Sequence, residues 1–351
     1  MTSLSATVSA PTDYNNKRPI GWWLIGMCGM VLIMVILGGV TRLTDSGLSM
    51  VDWRPITGWL PPLNTQEWQA IFELYKDTPE YIKINAGMDV EGFKAIFWLE
   101  YLHRLWGRII GIAFFIPFVW LLIRGRLDNR LTLKLLVMLV LGGAQGVLGW
   151  FMVKSGLIDR PDVSQYRLTA HLGLAILIYA FIFWVALGLL AQNTPQVDRK
   201  TLGRITGVSV FWVFLTMIAG GFVAGLDAGL TYNTFPLMDG KFIPDGLLSM
   251  SPVFLNFFEN VTTVQFGHRM MAYGSIILVS ITFWQARAHG LSGRQMMPFY
   301  FFATLMVVQV LLGVTTLLWA VPISLGALHQ LTAFLLLTAG LWSLHSVRIK
   351  R

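Results

Sequence analysis

FWLEYLHRLWGR, residues 97–108, opens an apolar run long enough to cross a bilayer, yet it places Glu100 and His103 three residues apart at the start of that run. Three residues on a helix is nearly one turn, so both side chains leave the same face. Ionisable groups inside lipid cost free energy, and where they persist they mark function. The reading of this stretch as a spanning helix fixes the fold class, and the pairing of acid and imidazole raises the functional question.

The remainder of the chain has the same character. Of its 351 residues, 55% are hydrophobic and only 13% charged, with a mean hydropathy of +0.63. Soluble domains carry about a quarter charged residues, so this chain belongs in lipid. The 14 Trp and 23 Phe fit that setting, because aromatic side chains gather at membrane interfaces. A net charge of +8 raises the question of nucleic acid. The basic residues are scattered over short loops, however, which makes them topology signals and excludes a nucleic-acid surface. The single cysteine, Cys28, forms no intrachain disulfide. Residues 1–18 are polar and lack a run of arginines, unlike a cleaved signal or transit peptide. A bacterial plasma membrane is the expected location.

Apolar segments of about 20 residues predict eight spans: 22–41, 97–123, 131–153, 168–190, 205–226, 262–286, 298–320 and 324–345. Lys17 and Arg18, Arg124, Arg126 and Arg130, Arg199, Lys200 and Arg204, Arg287 and Arg294, and Arg348, Lys350 and Arg351 then fall on one side. By the positive-inside rule that side is cytoplasmic, with both termini. The opposite side holds the long loop 42–96, with Trp53, Trp59, Trp68 and the pair Pro61-Pro62, which reads as an amphipathic cap on the membrane surface. The predicted organisation is a tail (1–21), a four-helix bundle (22–190), a linker (191–204), a second four-helix bundle (205–345) and a tail (346–351).

Internal echoes relate the two bundles. GGVTRLTDSGLSM (38–50) matches GGFVAGLDAGLTY (220–232), and LEYLHRLWGRIIG (99–111) matches VQFGHRMMAYGSI (264–276). GGAQGVLGWF (142–151) is set against VVQVLLGVTT (307–316), and RLTAHLGLAILIY (167–179) against LGALHQLTAFLLL (325–337). Four spans per repeat make the repeats parallel, so a pseudo-two-fold axis along the membrane normal is predicted. The fold class is an all-α polytopic membrane protein of two tandem four-helix bundles.

Of the six histidines, His289 and His345 read as solvated or interfacial. His103, His171, His268 and His329 instead lie one or two turns into the even-numbered spans, at one depth near the outer surface. Two imidazoles facing inward at one level can ligate a flat metal macrocycle from both faces. No Cys or carboxylate clusters point to zinc or iron–sulfur centres. The reading is two bis-histidine haem sites. Arg104, Arg108 and Arg269 stand beside them, either to pair with haem propionates or to snorkel to the interface. Glu100 has the neutral Gln265 as its counterpart. It serves either as a catalytic proton acceptor or as a partner orienting the His103 ring. An acid in one half alone suggests that the halves have diverged, one holding a cofactor and the other a substrate.

On GGVTRLTDSGLSMVDW, LEYLHR, LTAHL, TYNTFPLMDG, QFGHR and ALHQ, spread over all eight spans, the chain resembles the haem A synthases, in their proteobacterial and mitochondrial branch. The cysteine pairs that another bacterial branch carries in its outer loops are absent. The resemblance implies oxidation of the C8 methyl of haem O to a formyl group in two steps, giving haem A for cytochrome oxidase. It implies haem b as a cofactor between His268 and His329, the substrate haem between His103 and His171, and an essential acid at Glu100. A ferredoxin-type electron donor and contact with haem O synthase are further expectations. The rival readings are a diheme b-type cytochrome acting only in electron transfer, and a haem transporter or chaperone.

Overall fold

In a computed structural model the described residues are 12–52, 58–157, 162–190 and 199–347. Trp53, most of the predicted linker and the basic residues Arg348, Lys350 and Arg351 lie outside them. Among the described residues the chain is helical: α1 Thr12–Leu43, α2 Thr65–Lys76, α3 Pro79–Lys83, α4 Val90–Ile123, α5 Asn129–Gly156, α6 Gln165–Leu190, α7 Lys200–Gly225, α8 Asn256–Glu259, α9 Val261–Ala288, α10 Met297–Leu318 and α11 Ile323–Ser346.

Seven of these helices, α1, α4, α5, α6, α7, α10 and α11, are long and apolar enough to cross a membrane, so the chain is a membrane protein. The eighth long helix, α9, has the length, but Gln265, His268, Arg269, Gln285 and Arg287 dilute its hydropathy. Several helices overrun their predicted apolar segments, because caps rather than hydropathy decide where a helix starts. α4 begins at Val90, not near residue 97, since the Asp89 side chain accepts from the Gly92 amide at 2.8 Å. Asp128 caps α5 through the Leu131 amide and also takes Lys17 at 3.0 Å, and Asn260 caps α9 through Thr263. Each such cap stabilises its helix by about 1 kcal/mol.

Helix α1 packs against α4, α6 and α11; α6 also meets α5, α7 and α11; α7 meets α9 and α11; α10 meets α9 and α11. Half of the apolar stretch of α6 is buried, against 6% of that of α5. The centre of the molecule is therefore α1, α6, α7 and α11, and α5 turns most of its surface to the surroundings. One continuous apolar core runs through all eight long helices, with Leu24, Leu135, Ile176, Tyr179, Phe302 and Phe334 at its heart. A separate aromatic cluster, Phe72, Tyr75, Phe93, Phe97 and Tyr101, ties α2 to the first turns of α4. Trp68 meets Phe97 edge-on at 5.0 Å. The predicted cap over loop 42–96 is this α2–α3 unit.

Candidate functional site

Each of the four singled-out imidazoles faces a glycine on a neighbouring helix. A Cβ placed on Gly38 of α1 would lie 3.5 Å from Cε1 of His103 on α4. At Gly149 of α5 it would lie 2.9 Å from Cε1 of His171 on α6; at Gly220 of α7, 3.1 Å from that of His268 on α9; at Gly313 of α10, 2.9 Å from that of His329 on α11. At 2.9 Å a methyl would overlap the ring, so Gly149 and Gly313 are required for the rings to sit where they do. His103 and His171 lie within electrostatic reach of each other, as do His268 and His329. His103 stands over three turns from the start of α4 rather than one or two, because α4 extends into the cap.

Outside these rings, the acid and the arginines form a clamp that occurs twice. Glu100 pairs with Arg104 and accepts from Ser49 Oγ at 2.7 Å and from the Met50 amide at 2.8 Å. Arg104 donates to the carbonyls of Met50 and Asp52 at 2.9 and 3.1 Å. In the second half, Arg269 donates to the carbonyls of Tyr232 and Thr234 at 2.8 and 3.0 Å, and Gln265 donates to that of Tyr232 at 3.2 Å. Met50 is the residue that the sequence echo sets opposite Tyr232, and Asp52 and Thr234 each lie two residues further on. Asp45 and Asp227, also opposite each other in that echo, both take a left-handed backbone with φ of 48° and 49°. The Glu100 carboxylate is thus engaged by Arg104 and by Ser49 and Met50 of loop 42–96. The Arg108 guanidinium lies 5.9 Å from the Trp59 ring, under the cap.

Two residues passed over in the sequence belong to the site. Gln145 Nε2 lies 3.3 Å from both ring nitrogens of His171 and donates to its backbone carbonyl at 3.0 Å. Gln309 Nε2 lies 3.3 Å from Nε2 of His329. Each glutamine precedes its ring-facing glycine by four residues, Gln145 to Gly149 and Gln309 to Gly313, and that shared Gln-x-x-x-Gly spacing was the available signal. The echo drawn above set Gln145 against Val310; the contacts set it against Gln309, a register shift of one.

The buried atoms without a hydrogen-bond partner include Nδ1 of His268 and His329 and Oε1 of Gln145, Gln265 and Gln309. Polar atoms left so around imidazoles, with bare glycine backbone opposite each ring, fit a flat ligand bound through those rings. Among the described residues no three His, Cys, Asp or Glu gather as a metal-ion cluster. His345 departs from its interfacial reading: it is 6% exposed and packs edge-on against Trp184 at 5.1 Å. His289 lies with Nδ1 2.8 Å from the Gln285 carbonyl at the end of α9. Asn233 bridges the Gly229 and Leu317 carbonyls at 2.8 Å each, a loop-packing role.

Comparison with known proteins adds a second line of evidence. Residues 21–341 match the family model described as cytochrome oxidase assembly protein. A protein named heme A synthase from Nitrosospira multiformis is 50% identical over 349 residues, covering 98% of each chain. Proteins of the same name from Paramagnetospirillum magneticum and Parvibaculum lavamentivorans are 48% and 47% identical, covering 99% and 94% of each chain.

Proposed function

The chain belongs to the cytochrome oxidase assembly protein family, and from that premise we propose that it is a haem A synthase, oxidising the C8 methyl of haem O to a formyl group through a hydroxymethyl form. Its eight long helices are two parallel four-helix repeats, 22–190 and 205–345, in the bacterial plasma membrane, with α9 as the eighth span. Both termini are cytoplasmic and the histidines lie toward the outer face.

His103 and His171 hold the substrate haem in the N-terminal half. His268 and His329 are the residues that would hold haem b in the other. That group, when bound, supplies electron transfer to and from the substrate site. Gly38, Gly149, Gly220 and Gly313 let the rings and a planar ligand sit against helix backbone. Arg104, Arg108 and Arg269 put positive charge at the outer edge, where propionates are favoured. Glu100 holds the loop at Ser49 and Met50 and offers a carboxylate for proton removal or water positioning during oxidation. A ferredoxin-type protein as electron donor and haem O synthase as the source of substrate complete the reading.

The observation that carries it is an arginine clamp built twice, in which Glu100 accepts from the Ser49 hydroxyl and the Met50 amide while its counterpart Gln265 donates to the Tyr232 carbonyl. A cytochrome that only passes electrons has no use for that difference. Extraction and mass identification of haems from the wild type and four His→Ala variants tests the assignment. His268→Ala and His329→Ala should lose haem b. His103→Ala and His171→Ala should keep haem b but lose haem O and its oxidised forms. A wild type carrying haem b alone in both halves would favour the electron-transfer cytochrome.

A further inference from the structure

Helices α9 and α10 leave a groove of about 270 Å³ between them. Val279, Phe283 and Trp284 line it from α9, and Ala303, Val307 and Val310 from α10. Spacings of three and four residues keep each set on one helix face. Trp284 and Val307 are 67% and 60% exposed, so the groove opens at the surface of the protein rather than into its core. It is too small for a haem, and its lining starts more than two turns beyond His268 along α9. Polar groups close one end. Arg287, one turn beyond Phe283, donates to the Tyr300 hydroxyl at 3.2 Å, and Tyr300 stands one turn before Ala303. The Phe283 and Tyr300 rings meet edge-on at 5.6 Å. Arg287 is exposed and has no ion pair among the described residues. No Asp or Glu follows Glu259 in the chain, so α9 and everything after it supply no acidic side chain to neutralise this end.

We propose that this groove binds an anionic phospholipid, one acyl chain lying along Phe283 and Ala303 and the phosphate on Arg287. This rests on the reading of α9 as the eighth span, with Arg287 at the cytoplasmic face. Any lipid chain can fill an apolar groove; Arg287 makes the choice between headgroups. A guanidinium pairs with phosphate oxygens through parallel N–H donors, and basic pockets at the cytoplasmic ends of spanning helices favour anionic headgroups. Trp284 and Tyr300 suit the same level, because Trp and Tyr collect where acyl chains give way to headgroups. The matching end of α4 is built differently: Arg124 and Arg126 lie over the Trp120 ring at 5.9 and 5.2 Å. A lipid held here ties α10 to α9, the helices that bring Gly313 and His268 to the second histidine pair.

The test is native mass spectrometry of the full-length protein, delipidated in detergent and titrated with phosphatidylglycerol or phosphatidylcholine. The wild type should retain one phosphatidylglycerol about fivefold more tightly than phosphatidylcholine, the effect of one cation at a headgroup. Arg287→Gln should erase that preference, and Arg124→Gln should keep it. Ala303→Phe fills the groove, leaves Arg287 in place and should lower phosphatidylglycerol retention; if it does not fold, Val307→Trp at the exposed rim takes its place. Equal retention of the two lipids by the wild type overturns the proposal. So does an undiminished preference in Arg287→Gln, an equal loss in Arg124→Gln, or undiminished retention in the groove-filling variant. Failure of the span reading looks different. A nitroxide on Trp284→Cys, in a Cys28→Ala background, would then be relaxed by an aqueous nickel chelate, whereas in lipid it is relaxed by oxygen.

Discussion

The geometry places Glu100 in a clamp that is neither of the two tasks read for it from the sequence. Its carboxylate and the Arg104 guanidinium are 3% and 10% exposed. An ion pair taken out of water repays its desolvation only when further hydrogen bonds complete it. Here Ser49, the Met50 amide and the carbonyls of Met50 and Asp52 do so. Removing the acid altogether strands the arginine, at a cost of about 3–5 kcal/mol. Glu100→Ala should therefore loosen loop 42–96 and lower the thermal stability of the detergent-solubilised protein. Glu100→Gln should cost much less, because the amide oxygen still accepts from the Ser49 hydroxyl and the Met50 amide. Chemistry at the carboxylate then shows as a protein of near wild-type stability that holds haem O without converting it. Wild-type yields of haem A from Glu100→Gln would leave the carboxylate nothing but its clamp.

At the scale of elements, hydropathy predicted eight spans, and seven helices of the structure are long and apolar enough to cross a membrane. Polar detail was less legible. Hydropathy registers where apolar residues begin, whereas Asp89 starts α4 seven residues sooner by capping it. Gln145 and Gln309 were hidden because an amide inside an apolar helix has no one-dimensional mark beyond its spacing to a glycine. Burial of Glu80 was hidden too, since the cap packs through Phe72, Tyr75 and Phe93 rather than along any regular period.

Glu80, on α3, is 2% exposed, and one of its oxygens has no partner. Burial pushes its carboxyl up to about 7; the Tyr75 phenol pulls it back and the charge of Glu100 pushes it further up. Its pKa in the folded cap thus lies above the ordinary carboxylate value of about 4.3. The stability linked to its proton is complete below that ordinary value and is lost as pH rises through about 7. Limited proteolysis within loop 42–96 should be slow at pH 5.5 and faster at pH 8, and Glu80→Gln should flatten that dependence. A Glu80→Gln cap that still loosens with pH would shift the sensitivity to another acid, such as Asp45, whose carboxyl burial also raises.

For the whole molecule, the proposed two-fold plan is broken where the two halves meet beyond the ends of α1 and α7. α1 and α7 both end in an aspartate of left-handed conformation, Asp45 and Asp227. The sequence echo sets Arg42 of α1 opposite Ala224 of α7, so two acids share one cation. Arg42 spans the junction: it reaches Asp45 at 2.8 Å, both oxygens of Asp227 at 2.8 Å and the Ala224 carbonyl at 2.9 Å. Inward of it, bare glycine backbone lets the halves approach, Gly39 beside Gln330 and Gly221 beside Thr169. Gly38, Gly220 and His329 flank those contacts on α1, α7 and α11, so the junction adjoins the histidine rings. The side chains of Arg42 and Asp227 are 22% and 57% exposed, so solvent screens the pair and its coupling should be about 0.5–1 kcal/mol. Arg42→Ala should cost more than Asp227→Asn, because it leaves two like charges facing each other while Asp227→Asn removes one of them. A double-mutant cycle of these two changes, read by thermal unfolding in detergent, should be non-additive by that amount. Strict additivity would mean that helix packing alone, through the glycine contacts, holds the halves together.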